Sequence, residues 1–243
     1  MKQSPVRDVS RARRRPAAVC ELRLTPLMLS LVCLGVTPVL AQVLPVPAGG
    51  GANLQAVPGG GIVNIVTVPG APAGTMNIKQ DTARAIAEWQ SFSIGSGGVV
   101  NVAQPSSSSI LLSRVVGNQM STIAGTLTAN GHVFLTNPNG VLFSAGSSVS
   151  VGGLVATTMK MSNTDAEFMN PATRQFKFER DTVDILDGNS YTVVNRGTIT
   201  TTDPGGTVAL MGSNVSNEGI INVARGSVGL VSADRITVDF NGD

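Results

Sequence analysis

Asn195-Arg196-Gly197 returns 22 residues later as Asn217-Glu218-Gly219, and Gly206-Thr207-Val208-Ala209-Leu210 returns 20 residues later as Gly226-Ser227-Val228-Gly229-Leu230. The block Gly125–Leu135 (GTLTANGHVFL) belongs to the same series as Gly197–Leu210 and Gly219–Leu230. Self-similarity at a fixed period of this size, built from short β-type runs, marks a solenoid. The runs are too short, and helical periodicity too scarce, for leucine-rich repeats. A parallel β-helix fits them: each rung holds two or three short strands joined by turns and stacks on the rung before it. Because each rung then contacts mainly its neighbours, folding is expected to proceed vectorially along the chain.

Alternation within the runs agrees. In Gly206–Met211 and Arg235–Phe240 apolar residues alternate with Thr, Gly or Asp, as in half-buried strands. The inward set is expected to stack rung over rung, each buried aliphatic side chain contributing roughly 1.5–3 kcal/mol. Composition points the same way. The chain has 28 Gly and only 13% charged residues, against about 25% charged in average soluble domains. Short strands and many turns follow.

The run FLTNPNGVLFSAGSSVSVGGLVATT (Phe134–Thr158) reads as strand, turn, strand, turn, strand. Asn137, before a proline, is pushed to an extended conformation. Pro138 presets the first corner of a turn, Asn139 tolerates a left-handed conformation, and Gly140 releases the chain into the next strand.

Elsewhere the pattern changes. Residues 42–75 are Pro- and Gly-rich, with a short strand at Ile62–Val66, and read as a lead-in and cap. The run MNIKQDTARAIAEWQSFSI (Met76–Ile94) holds a short alternation, a polar patch able to form a helical turn, and then Trp89 and Phe92, close enough to make a local plug. Asp165–Tyr191 breaks the repeat and is expected to be an excursion, with a hairpin over Arg174–Arg180 laid on the outside of the helix.

Residues 1–41 read as a secretory signal peptide: a basic stretch, an apolar run from Leu24, and a small-residue cleavage site ending at Ala41. This segment holds seven of the 17 Lys and Arg and two of the 15 Asp and Glu, so the chain without it carries about −3. The apparent basicity is therefore no argument for a nucleic-acid partner. Both cysteines, Cys20 and Cys33, leave with the signal, and no disulfide can form afterwards.

Catalytic signatures are scarce. His132 is the one histidine. With no cysteine beside it, it cannot build a zinc site. There is no G-x-S-x-G elbow. Asp181, Asp184 and Asp187 match no calcium-loop spacing. The Gly runs at 49–51 and 59–61 precede no helix and cradle no phosphate. No enzyme and no cofactor is expected. A β-helical polysaccharide lyase would need Asp clustered with Arg or Lys on one face, where the repeats carry Thr, Asn and Ser.

Several blocks together resemble a known family: AEWQSFSIGSGGVVNV, then SRVVGNQMSTIAGTLTANGHVFLTNPNGVLFSAGSSVSVGGLVATT, NRGTIT, GGTVALMGSNVSNEGIINV and GSVGLVSADRITVDF. The chain resembles the two-partner secretion domain of filamentous-haemagglutinin-like exoproteins, also called the haemagglutination activity domain, over about Met76–Phe240. The resemblance implies an all-β, right-handed parallel β-helix with an amino-terminal cap and an extra-helical β-hairpin, occupying 76–243. It implies the amino-terminal secretion domain of a large secreted adhesin or exoprotein of Gram-negative bacteria. The implied partner is an outer-membrane transporter barrel with periplasmic domains, and the destination is the cell surface or the medium. Asn137, Pro138, Asn139, Gly140 and Val141 match the family's transporter-recognition motif. The upstream Asn-Pro-Asn motif of one branch is replaced here by QPSSSSILLSRV (Gln104–Val115). Other members are haem-acquisition proteins or carriers of contact-dependent toxins. A passenger is expected beyond Asp243, through which a host-cell surface or extracellular matrix would be met.

Overall fold

The computed structural model describes residues 43–50, 54, 57–180 and 191–239. The leader reading at 1–41, Asp181, Asp184 and Asp187 lie outside the described residues. In chain order the elements are β1 (Val46–Pro47), β2 (Val63–Val66), β3 (Thr75–Gln80), β4 (Arg84–Ser91), β5 (Val99–Ala103), β6 (Ile110–Val115), β7 (Ser121–Ile123), β8 (Thr126–Ala129), β9 (His132–Thr136), β10 (Val141–Phe143) and β11 (Ser148–Val151). They continue with β12 (Gly153–Thr157), β13 (Lys160–Met161), the helix α1 (Asp165–Met169), β14 (Gln175–Glu179), β15 (Thr192–Asn195), β16 (Thr198–Thr201), β17 (Thr207–Met211), β18 (Asn214–Asn217), β19 (Ile220–Asn222), β20 (Ser227–Val231) and β21 (Arg235–Asp239).

These strands form a parallel β-helix with three faces. The first sheet runs β1-β4-β6-β9-β12-β17-β20, the second β19-β16-β11-β8-β5-β3-β2, and the shortest β18-β15-β10-β7. The sequence repeats are the rungs. Asn195 faces Asn217, and Thr207 to Met211 face Ser227 to Val231. Thr126, Ser148 and Thr198 stand in one column of successive rungs. Inward columns fill the interior: Leu111, Val133, Leu154 and Val208 from the first sheet, and Val100, Leu127, Val149 and Ile199 from the second, all buried. At the amino-terminal end β1 and β2 pair antiparallel with β4 and β3, which covers edges that would otherwise expose unpaired backbone. Trp89 and Phe92 pack edge to face there, 5.2 Å between centroids, and form the expected plug.

The first sheet is apolar on both sides. Ile86, Leu112, Phe134, Val155 and Ala209 form an outward column, yet they lie in a second core with Met159, Phe168, Phe176 and Phe178. A three-stranded antiparallel sheet, β13-β14-β21, together with α1, covers that column. Thr164 caps α1 by accepting from Glu167 N, and the Glu167 carboxylate accepts in turn from Thr164 N, a capping box.

Three local expectations are corrected. The polar patch between β3 and β4 makes a corner and no helical turn: Gln80 Nε2 donates to Thr82 O and Thr82 Oγ1 to Arg84 O, each at 2.7 Å, and these bonds take the place of helical ones. The segment Arg174–Arg180 does not turn on itself. It supplies one strand, β14, whose antiparallel partners are β13 and β21, because Phe176 and Phe178 must both face the second core. Arg235–Asp239 is not a rung: its alternating Ile236 and Val238 lie opposite Phe178 and Phe176. The tolerance of Asn139 for a left-handed conformation is not used. Among the described residues Arg225 is the only non-glycine with positive φ.

Candidate functional site

The five motif residues sit together at the corner between β9 and β10. Asn137 is extended out of β9, its N–H donating to Thr157 O on the following rung at 2.9 Å. A turn closes when Gly140 N donates to Asn137 O at 3.1 Å. Pro138 and Asn139 occupy its two central positions, both with negative φ, and the positive φ falls on Gly140 at 112°. Gly140 is required twice over, since a Cβ there would also press Met120 Cγ at 3.2 Å and Thr192 O at 3.3 Å.

The amides of the motif are turned to the protein. Asn137 is 0% exposed. Its Nδ2 donates to Gln119 O and to Ser121 Oγ, both at 2.9 Å, on the preceding rung. Its Oδ1 accepts from Asn139 N and Asn139 Nδ2 at 3.0 Å. Asn139 Nδ2 also donates to Gly117 O at 2.9 Å. Val141 is buried between Ser121 and Val193 on the third face of the β-helix. Only Pro138 and Asn139 are half-buried and reach the surface.

They open onto a cleft of about 620 Å³, lined among others by Arg114, Val116, Gly117, Met161 and Asp165. Arg114 is fixed by Asp165 at 2.6 Å and Glu88 at 3.1 Å. Burial pulls its pKa down, but the bonds and charges of Asp165 and Glu88 outweigh this and raise it. Such a cleft offers apolar walls and a firmly held cation. His132 lies elsewhere, half-buried at the start of β9, its pKa lowered by burial against a smaller opposing effect of Asp203.

Sequence reasoning missed the partners of the asparagines. Gln119 and Gly117 contribute backbone carbonyls, which leave no trace in residue type. Arg84 and Arg114, which hold the outer layer, did leave one: each is the lone cation of its strand.

Comparison with known proteins now decides the family. The family model described as TPS secretion domain matches residues 58–241. The chain belongs to the two-partner (TPS) secretion domain family. Two heme/hemopexin-binding proteins of Haemophilus influenzae are similar to it. One is 40% identical over 112 residues, 46% of this chain and 12% of that protein. The other, from strain Rd, is 37% identical over 166 residues, 67% of this chain and 17% of that protein. The chain thus spans about a sixth of these relatives, or less. The crystal structure of the HMW1 secretion domain from Haemophilus influenzae superposes with a TM-score of 0.63 at 32% identity, over 73% of this chain and 44% of that one. TPS secretion domains belong to exoproteins exported across the outer membrane to the cell surface or medium, and a partner outer-membrane transporter recognises them. A parallel β-helix carrying an extra-helical sheet is the folded form of such a domain here.

Proposed function

We propose that this TPS domain leads an exoprotein through a cognate outer-membrane transporter with periplasmic domains, and that Asn137, Pro138, Asn139, Gly140 and Val141 form its recognition motif before the β-helix forms. The observation that supports this reading is the use of the two asparagine side chains. In the folded domain Asn137 and Asn139 spend their amides on Gln119, Ser121 and Gly117. In an extended chain the same amides are free for a partner. One motif then serves two states, first as a docking sequence and afterwards as a rung corner. Folding outside the cell, where apolar burial accumulates, biases transport outward.

The test is binding of urea-unfolded and of refolded chain to the purified periplasmic domains of the cognate transporter. The unfolded chain is expected to bind, and Asn137→Ala with Asn139→Ala to weaken it. Equal binding by the folded domain, unaffected by either substitution, would overturn the reading.

The names of the relatives support a second reading for the exoprotein as a whole, that of haem acquisition. Its test is haem and hemopexin binding by the exoprotein with and without residues 42–243; binding in neither form sinks it.

A further inference from the structure

The outer layer ties the first rungs to the last strand described. Arg84, at the start of β4, donates from Nη1 to Phe168 O at 2.6 Å and to Asn170 O, and from Nη2 to Thr173 O at 2.6 Å. Its guanidinium lies 5.3 Å from the centre of the Phe176 ring and 5.9 Å from that of Phe168. Arg114 on β6 holds Asp165 at the head of α1. Phe134 on β9 meets Phe176 edge to face at 5.1 Å. Residues 165–179 thereby complete the outer faces of β4, β6, β9, β12 and β17.

The longer of the two strand pairings of β14 is with β21. The register of β14 comprises two pairs with β13 but five with β21, from Gln175 opposite Asp239 to Glu179 opposite Arg235. Val238 and Ile236 pack into the same apolar cluster. Arg180 N donates to Asp234 O at 2.9 Å, and the Arg180 side chain pairs with Asp234 at 3.2 Å. A hairpin of two short strands is marginal in water, and a third strand with an apolar face is what stabilises it.

In a simple solenoid each rung depends on its neighbours alone. Here the outer face of β4 is finished by residues 84 to 89 positions downstream, and the strand that follows those, β14, pairs with one that comes later still. We propose that β21 is a latch: the amino-terminal rungs gain full protection only when Arg235–Asp239 docks on β14, so the domain folds as one unit and not rung by rung. Its consequence for export rests on the reading above that the chain folds as it emerges. Strands β3 to β12 would be outside first, yet loosely held until residues 235–239 follow them. The domain would then make transport irreversible in one late step.

Pulse-labelling hydrogen exchange during refolding of the full chain from urea tests this. Amides of β4, β6, β14 and β21 are expected to gain protection in one kinetic phase; protection of β4 and β6 in an earlier phase than β21 would overturn the latch. Native-state exchange provides the second arm, with Val238→Asp and, on the exposed side of the same strand, Thr237→Asp. Val238→Asp is expected to speed exchange in β4 and β6 by roughly tenfold or more, the factor given by about 1.4 kcal/mol of lost opening energy. Thr237→Asp should leave those amides unchanged. Faster exchange confined to β13, β14 and β21 would refute the proposal. The pulse-labelling arm needs no variant and decides the matter even where Val238→Asp abolishes folding. No transporter enters either arm, so failure here leaves the recognition reading standing, and failure of recognition leaves the latch standing.

Discussion

Asn137 Nδ2 lies 2.9 Å from Ser121 Oγ, so the first asparagine of the corner motif is a strut between two rungs. The same amide holds Gln119 O, and the carbonyl oxygen of the side chain holds the backbone of Asn139. Asn137→Ala removes all of these at a buried position. A buried polar group left without a partner costs about 1–3 kcal/mol. The substitution is therefore expected to lower folding stability by about 2–3 kcal/mol, seen as a shifted urea midpoint with an unchanged slope. A midpoint equal to that of the unsubstituted protein would mean that water or a neighbouring group replaces the strut.

Arg84 is expected to be the most sensitive charged residue of the outer layer. It bonds the carbonyls of Phe168, Asn170 and Thr173 and stacks on two rings. Arg84→Met should cost about 2–3 kcal/mol, well under the bare sum of three charge-assisted bonds and a cation–π contact, because water can reach the acceptors of this half-buried site. Arg84→Lys should recover less than half, since an ammonium lacks the planar fork that spans three acceptors. Urea titration of the two variants side by side checks both statements.

The rungs were legible because parallel stacking puts like residues over like. Asn195 over Asn217 and Leu210 over Leu230 repeat in the chain at the length of one coil. The second core was legible in principle but was passed over. Ile110-Leu111-Leu112, Val133-Phe134-Leu135 and Val208-Ala209-Leu210-Met211 are continuous apolar runs, which strands buried on both faces require. Read as one-sided strands, they gave no place for Phe168, Phe176 and Phe178. The fate of Arg235–Asp239 was hidden for another reason: its alternation suits a rung and an antiparallel outer strand equally, and only the reversal at residues 232–234 separates them. At the motif the corner itself could be read from Pro138 and Gly140. The partners of its asparagines could not, since two of them are main-chain carbonyls.

Inward and outward positions on neighbouring rungs should respond differently to charge. Val208 and Leu210 are fully buried in the interior. Asp at either position places a carboxylate where only aliphatic side chains meet it, a cost of several kcal/mol. Val208→Asp and Leu210→Asp are expected to prevent refolding and to stall secretion with the chain retained in the periplasm. Ser148 points outward between Thr126 and Thr198 and is exposed. Ser148→Asp is expected to stay within about 0.5 kcal/mol and to be secreted normally. Immunoblots of medium against periplasm, with equal secretion of all three variants, would defeat the idea that folding drives export.

Acid sensitivity should trace to His132. Its ring is packed against Gly153 so closely that a Cβ at Gly153 would collide with Nδ1. Burial lowers its pKa from the ordinary 6.5, and Asp203 only partly opposes this. The unfolded chain therefore takes up a proton at higher pH than the folded one. As pH falls through about 6.5 the unfolded state binds more protons, and stability declines until the folded-state pKa is passed. The slope contributed cannot exceed about 1.4 kcal/mol per pH unit, the value for one unmatched proton. Urea midpoints between about pH 7.5 and pH 5.5, a window above most carboxylate titrations, should fall for the unsubstituted protein and fall less for His132→Gln. Since every other titrating group is common to both proteins, parallel curves would place the acid sensitivity elsewhere.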